Sequence, residues 1–445
     1  GRECSYAQEA LEQVAFGLEL LAARGQLDSD GVAAERFIAE SLKDVVMHEV
    51  GHALGLRHNF KASAGVKLDK LRDAAWVREN GVSNSVMDYV ALNIPLADEP
   101  ATVYTQSTLG VYDYWAIEYA YRELSPERER DELAKIAARS VTDARLAYAT
   151  DEDMGGYGTA GIDPLVNPFD LGDDPLAYYK RRFALARELW TRTQSRELGQ
   201  DESLAFYRRN LARGLNQIGF TAPLIAKYVG GVYTSRQLAG AGQPVLTPVP
   251  ARKQRDALAL LAREVFSTES FRFDPNFMGR LGIDHLERFQ PAQYAPNPDF
   301  SLATSVLGIQ RGVLDQLMAD GLAARLADAE TKLADRKQLL TFADVQTQLA
   351  DAIWSELKTG RSIDSLRRNL QREHLRRLAG ALLRPTSGVA ADVRSVQRQV
   401  ALRLEADLRR AVESKRGDAT EHAHLAESQS VLEEALRAPM WRQGV

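Results

Sequence analysis

Between Tyr6 and Ala23 the apolar residues Leu11, Val14, Leu18 and Leu21 recur at three- and four-residue steps, which predicts an amphipathic helix ended near Gly25. A second helical pattern opens after the Asp28-Ser29-Asp30 capping cluster and runs through Phe37, Ile38 and Leu42 to about Gly55. From His58 to about Pro100 the periodicity breaks at Gly65, Gly81, Ser83, Asn84 and Pro95, as loops and tight turns require. It resumes over 106–124 and 126–142, then over 176–197, 203–219, 223–228, 252–267, 302–328, 342–359, 363–383 and 389–413. One long interruption, 148–175, is rich in Gly, Pro and Asp, and the stretch 240–250 reads as a linker.

The fold class expected is therefore mainly α. Three regions follow: 1–125 around the histidine motif described below, 126–240 with the long Asp/Gly-rich loop, and 241–445 as a C-terminal helical region.

Composition narrows the function classes. With 445 residues, 45% hydrophobic and 26% charged, the chain can bury two or three cores. A formal net charge of -5 argues against broad attraction to nucleic acid. No run reaches the roughly 18 to 20 apolar residues a membrane-spanning helix needs; the most apolar stretch, 42–56, holds Lys43, Asp44, His48, Glu49 and His52. Cys4 is the only cysteine, so no internal disulfide can form and a catalytic thiol is not expected. The start, GRECSYAQEALEQV, shows neither Met nor a leader, and a segment of a longer protein is expected.

The chemistry concentrates in HEVGHALGLRH, residues 48–58, which holds three of the chain's seven histidines. On a helix, His48 and His52 differ by about 40° around the axis and project from one face a turn apart. Continuing the helix would carry His58 roughly 15 Å from His48, so the chain has to reverse. Gly55 stands where left-handed dihedrals are needed for that reversal. Three imidazoles at about 2.0 to 2.1 Å leave a tetrahedral zinc one open position for water, the arrangement of a catalytic site. Glu49, about 100° around the helix from His48, is placed to take the proton of that water and pass it on.

These residues resemble the metzincin metallopeptidases, whose HExxHxxGxxH is matched by His48, Glu49, His52, Gly55 and His58. The resemblance implies that Ser85-Val86-Met87-Asp88-Tyr89 is the methionine turn, with Met87 as an apolar floor under the imidazoles and Tyr89 steadying the tetrahedral intermediate. More closely, HEVGHALGLRHNFKAS, SVMDYV and YDYWAIEYAY look like the bacterial zinc-dependent Met-zincin family of large exported proteins, over a stretch reaching about Leu258, with Arg57, Asn59 and Phe60 in pattern. That likeness implies a zinc endopeptidase acting on protein or peptide, located outside the cytoplasm. Metzincins also carry a twisted sheet that pairs with extended substrate. Because the 47 residues before His48 read as helical, that sheet is expected either to lie outside this segment or to be rebuilt from other stretches of it.

Weaker features have plainer readings. Asp151, Asp153, Asp163, Asp170, Asp173 and Asp174 offer oxygen ligands for calcium, although aspartates in such loops more often order turns. His285, His374, His422 and His424 read as surface residues, and the Arg-rich stretches at 367–377 and 403–410 as solvated helix faces. Two rival functions remain: a non-catalytic zinc module whose helices bind a protein or glycan, and a redox iron enzyme, which the third imidazole disfavours.

Overall fold

The computed structural model describes residues 4–27, 31–155, 161–237, 242, 244–284, 297–333, 335–384, 391–415 and 417–438. The fold is mainly α. In chain order the first helices are α1 (Tyr6–Ala23), α2 (Val32–Ala53), α3 (Ala74–Asn80), α4 (Val111–Tyr121), α5 (Pro126–Thr142), α6 (Pro175–Ser195) and α7 (Ala205–Ala226). Two three-residue strands, β1 (Val232–Thr234) and β2 (Leu246–Pro248), pair with each other, so β2 falls in the stretch read as a linker. The remaining helices are α8 (Ala251–Leu261), α9 (Pro275–Met278), α10 (Leu302–Leu317), α11 (Asp320–Lys332), α12 (Phe342–Ile353), α13 (Ser355–Thr359), α14 (Ser365–Leu383), α15 (Ala391–Glu413) and α16 (Ala419–Arg437).

The chain divides into two compact units. The first comprises Gly1–Gln217, Val232–Thr247 and Pro275–Pro298; the second comprises Ile218–Gly231, Pro248–Asp274 and Asp299–Val445. In the first, the apolar stripe of α1 buries Phe16, Leu20 and Leu21 against Phe37 of α2, Ile94, and Leu185 and Leu189 of α6. Helix α1 ends as its pattern predicts: Gly25 adopts φ 71°, and the N–H of Gln26 returns to the carbonyl of Leu21. The Asp28-Ser29-Asp30 cap lies outside the described residues, as does His285.

Helix α2 has one buried face and one exposed apolar face. Ala34, Phe37, Ser41, Asp44, His48 and Gly51 step three and four residues apart and are buried. Ile38, Leu42, Val46, Val50 and Leu54, each four residues from the next, are exposed.

The second unit corrects two readings. His374 and His424 were expected at the surface, yet they are 1% and 7% exposed. The indole N–H of Trp354 donates to His374 Nδ1, and His424 Nε2 meets Gln371 Oε1 at 2.8 Å. Arg367, from a stretch read as solvated, is buried and paired with Glu356 at 2.7 Å. Leu370, Leu375 and Leu378 of the same helix are buried too, and the polar residues buried with them, Arg367, Gln371, Glu373 and His374, each have a partner, which makes their burial tolerable. Helix α16, whose Leu425 and Leu432 are buried, has no counterpart among the predicted elements.

Candidate metal centre

Helix α2 presents His48 and His52 as neighbours one turn apart, with Nε2 atoms 3.1 Å from each other. After Ala53 the chain turns back: Gly55 takes φ 85°, and the N–H of Leu56 reaches the carbonyl of Gly51. That reversal returns His58, whose Nε2 lies 3.1 Å from His52 Nε2. The three rings predicted to converge do so.

Each outer ring nitrogen is anchored. His48 Nδ1 donates to the Val86 carbonyl at 2.8 Å, His52 Nδ1 to the Leu56 carbonyl at 2.9 Å, and His58 Nδ1 to the Asp151 carboxylate at 3.0 Å. Carbonyl and carboxylate oxygens accept only, so the proton sits on Nδ1 in all three rings and the Nε2 lone pairs face one another. Burial, then the neighbouring imidazoles, lowers His48 to about 3, and burial lowers His58 as well. Both rings are therefore neutral near pH 7, the state a metal requires.

The donor set fits zinc. A tetrahedral ion with Zn–N near 2.0 to 2.1 Å sets nitrogens about 3.3 Å apart, close to the two 3.1 Å separations here. Among the described residues, Cys4, His48, His52 and His58 form a group whose ligand atoms all lie within 4.8 Å of one another.

The surrounding loops hold these rings in place. Residues 84–89 are secured from both sides. The Ser85 hydroxyl and the Val86 N–H donate to Asp113, which also takes the N–H of Gly110 and so caps α4. The Met87 carbonyl receives the Asn59 N–H, and the Tyr89 carbonyl that of Phe169. Met87 is fully buried, with its sulfur where a side chain on Gly51 would stand. Tyr89 is fully buried too, its hydroxyl 3.2 Å from His58 Nε2 and 3.4 Å from Cys4 Sγ. Glu49 projects from an exposed position on α2, and its carboxylate meets the Cys4 thiol.

The Asp-rich loop is ordered by cations and amides of the protein itself. Asp153 pairs with Arg236, Asp163 with Lys61 and Asp173 with Lys67, while Asp170 accepts from Ser63 and Asn167. Asp174 precedes α6. No carboxylate group suited to calcium forms among the described residues. Asp151 has the most consequential partner. Burial works to raise its carboxyl, but the His58 N–H and the Thr150 hydroxyl together hold it below the usual carboxylate range. Asn59, fully buried, accepts the Ala149 N–H and donates to the Ala147 carbonyl, fixing the loop segment that leads to Asp151. Replacing Asp151 with Asn is expected to weaken zinc affinity about 10- to 100-fold, as loss of such a ligand's partner does. Competition with a chromophoric chelator reads this; an unchanged affinity would show that Asp151 does not position His58.

Two supporting residues, Tyr6 and Gly51, went unread in the sequence, and Cys4 was read only as a lone cysteine with no catalytic thiol expected. Tyr6 is buried against His48 and Tyr89, ring centroids 4.6 Å from each. Its hydroxyl faces Asp44, one turn before His48. Burial raises Asp44 to about 7, although the Gln106 N–H and the Tyr6 hydroxyl pull the other way. The folded protein thus keeps a proton that an unfolded aspartate loses near pH 3.9. Stability from this group is full at acid pH and declines as pH rises from about 4 to about 7. Asp44→Asn is expected to flatten that decline, by on the order of 2 kcal/mol between pH 5 and 7. Urea midpoints across that range decide it, and parallel curves for the two proteins would refute it.

A sequence profile of the family described as Met-zincin matches residues 30–361, past the point near Leu258 where the motif likeness was drawn to end. No curated protein and no solved structure matches the chain. No helix among the described residues is long and apolar enough to cross a membrane.

Proposed function

Because the chain belongs to the Met-zincin family, we propose that it is a zinc metallopeptidase in which His48, His52 and His58 hold the ion and Glu49 is the general base. The observation that carries this reading is the convergence of three lone pairs on one point, with every outer nitrogen already committed to an acceptor. Three facing lone pairs repel one another, and a cation among them turns that cost into binding energy.

Bound there, zinc would supply Lewis-acid polarisation of the scissile carbonyl and an acidified water. The protein supplies the rest. Glu49 takes the proton released as the water attacks and delivers it to the leaving amine, which breaks the C–N bond without releasing a free amide anion. The Tyr89 hydroxyl, beside His58, can donate to the oxyanion that develops on the carbonyl oxygen. Asp151, by holding the His58 ring, raises its basicity toward the metal. The substrate class is peptide or protein; the calcium expectation has no support in the donor sets and is not part of this reading.

Digestion of a peptide library, with and without a chelator, tests the proposal. Chelator-sensitive cleavage that returns on addition of zinc is the expected outcome. A protein that binds zinc stoichiometrically but leaves every peptide intact would favour the non-catalytic module instead.

A further inference from the structure

The residues just before α1 place a thiol inside the metal centre. Cys4 Sγ lies 3.5 Å from His48 Nε2 and 3.4 Å from the Tyr89 hydroxyl, and it meets the Glu49 carboxylate. It completes the only metal-ligating group found among the described residues. A tetrahedral zinc with Zn–S near 2.3 Å and Zn–N near 2.0 Å sets sulfur about 3.5 Å from nitrogen, which matches the separation from His48. Sulfur here stands between base, imidazole and Tyr89, the place where an attacking water must be. Cys4 is also outside the stretch that matches the family, so nothing about the family assigns it a role.

The position is built, not incidental. Two residues on, Tyr6 is fully buried, stacked on Tyr89, tilted against the His48 ring and reaching Asp44 with its hydroxyl. That anchor delivers the preceding residues to the metal side of α2. Cys4 itself is only half-buried, so it can leave while Tyr6 stays.

We propose that Cys4 is a fourth, exchangeable zinc ligand that closes the site and must withdraw before a peptide can be cleaved. This rests on the metallopeptidase reading. On closing, the S–H bond breaks and an S–Zn bond forms, with the proton passing to the adjacent Glu49 carboxylate. On opening, water replaces the thiolate and the Glu49 carboxyl returns the proton to the sulfur. While closed, the site has three nitrogens and one sulfur, no place for water, and its base blocked.

The test uses cobalt in place of zinc, with wild type and Cys4→Ser side by side. Wild type is expected to show a near-ultraviolet sulfur-to-cobalt charge-transfer band that the variant lacks, while both keep visible bands of a four-coordinate ion. As the chain has a single cysteine, a thiol reagent reports on Cys4 alone. It is expected to react slowly in the zinc protein and fast after chelation. Cys4→Ser is expected to cleave peptides ~10-fold faster, the gain when about a tenth of the population was competent before. Identical cobalt spectra, with equal thiol reactivity in zinc-loaded and chelated protein, would overturn the assignment of Cys4 and leave the peptidase reading intact. Failure of either protein to bind cobalt or zinc would overturn that reading instead.

Discussion

Replacing Glu49 with Gln is expected to lower peptide hydrolysis by ~10²- to 10⁴-fold, the range a positioned acid-base group supplies, with zinc content unchanged. The two residues on either side of the exchange explain the separation of effects. His48 and His52 are held by backbone carbonyls of Val86 and Leu56, and neither anchor involves Glu49. Gln is nearly isosteric and keeps the exposed position on α2, so the metal ligands need not move. What is lost is the capacity to accept a proton. The decisive measurement is kcat alongside metal stoichiometry on the same preparation. A variant that hydrolyses at the wild-type rate would remove Glu49 from the mechanism, and one that loses zinc would make it a structural residue. Because the Glu49 carboxylate meets the Cys4 thiol, the same substitution made on a Cys4→Ser background separates base from cap. There the rate loss should persist at full size.

The parts of this arrangement written locally in the chain were legible, and those assembled across the fold were not. Helix α1 spans Tyr6–Ala23, the bounds its apolar spacing predicts, because a two-sided helix follows from a period of 3.6 alone. The return of His58 was legible for a similar reason: two ring positions fixed by a helix and a glycine at the turn leave few paths for the third. Cys4, by contrast, reads as an isolated thiol, and only the packing of Tyr6 against residues more than 40 positions away brings it to the histidines. Asp151 was visible as one of six aspartates in a loop but indistinguishable from the rest. Its partner, His58, is 93 residues away and is met only because Asn59 and Phe60 bind the backbone at Ala147 and Ala149. In the second unit the polar face of α14 misled for the opposite reason. Arginine, glutamine and histidine counted as solvated when read singly are buried where they satisfy one another. The exposed apolar face of α2 shows the limit of periodicity itself, since spacing says that a face is apolar and not whether anything covers it.

Gly51, inside the zinc motif, carries the second large effect. A Cβ built there would stand 2.1 Å from Met87 Sδ, far inside contact distance, so the absence of a side chain is what admits the methionine under α2. Met87 cannot easily retreat. It is fully buried, its carbonyl is bound by the Asn59 N–H, and the residue before it is tied by its N–H to Asp113 and by its carbonyl to His48. Gly51→Ala is therefore expected to cost about 3 kcal/mol, the upper end for forcing a methyl group into a packed core, even though alanine favours the helix. The strain has one outlet, the turn that holds the His48 ring, so zinc affinity should fall with stability. Met87→Ala alone should cost about 2 to 5 kcal/mol through the cavity it leaves. In the double variant the new methyl group enters that cavity, so the two losses should fall short of additive by about 1 to 3 kcal/mol. Urea unfolding of the four proteins in the presence of zinc closes the cycle. Strict additivity would mean that Gly51 and Met87 do not compete for the same space, and the methionine would then owe its position to the backbone of residues 84–89 alone.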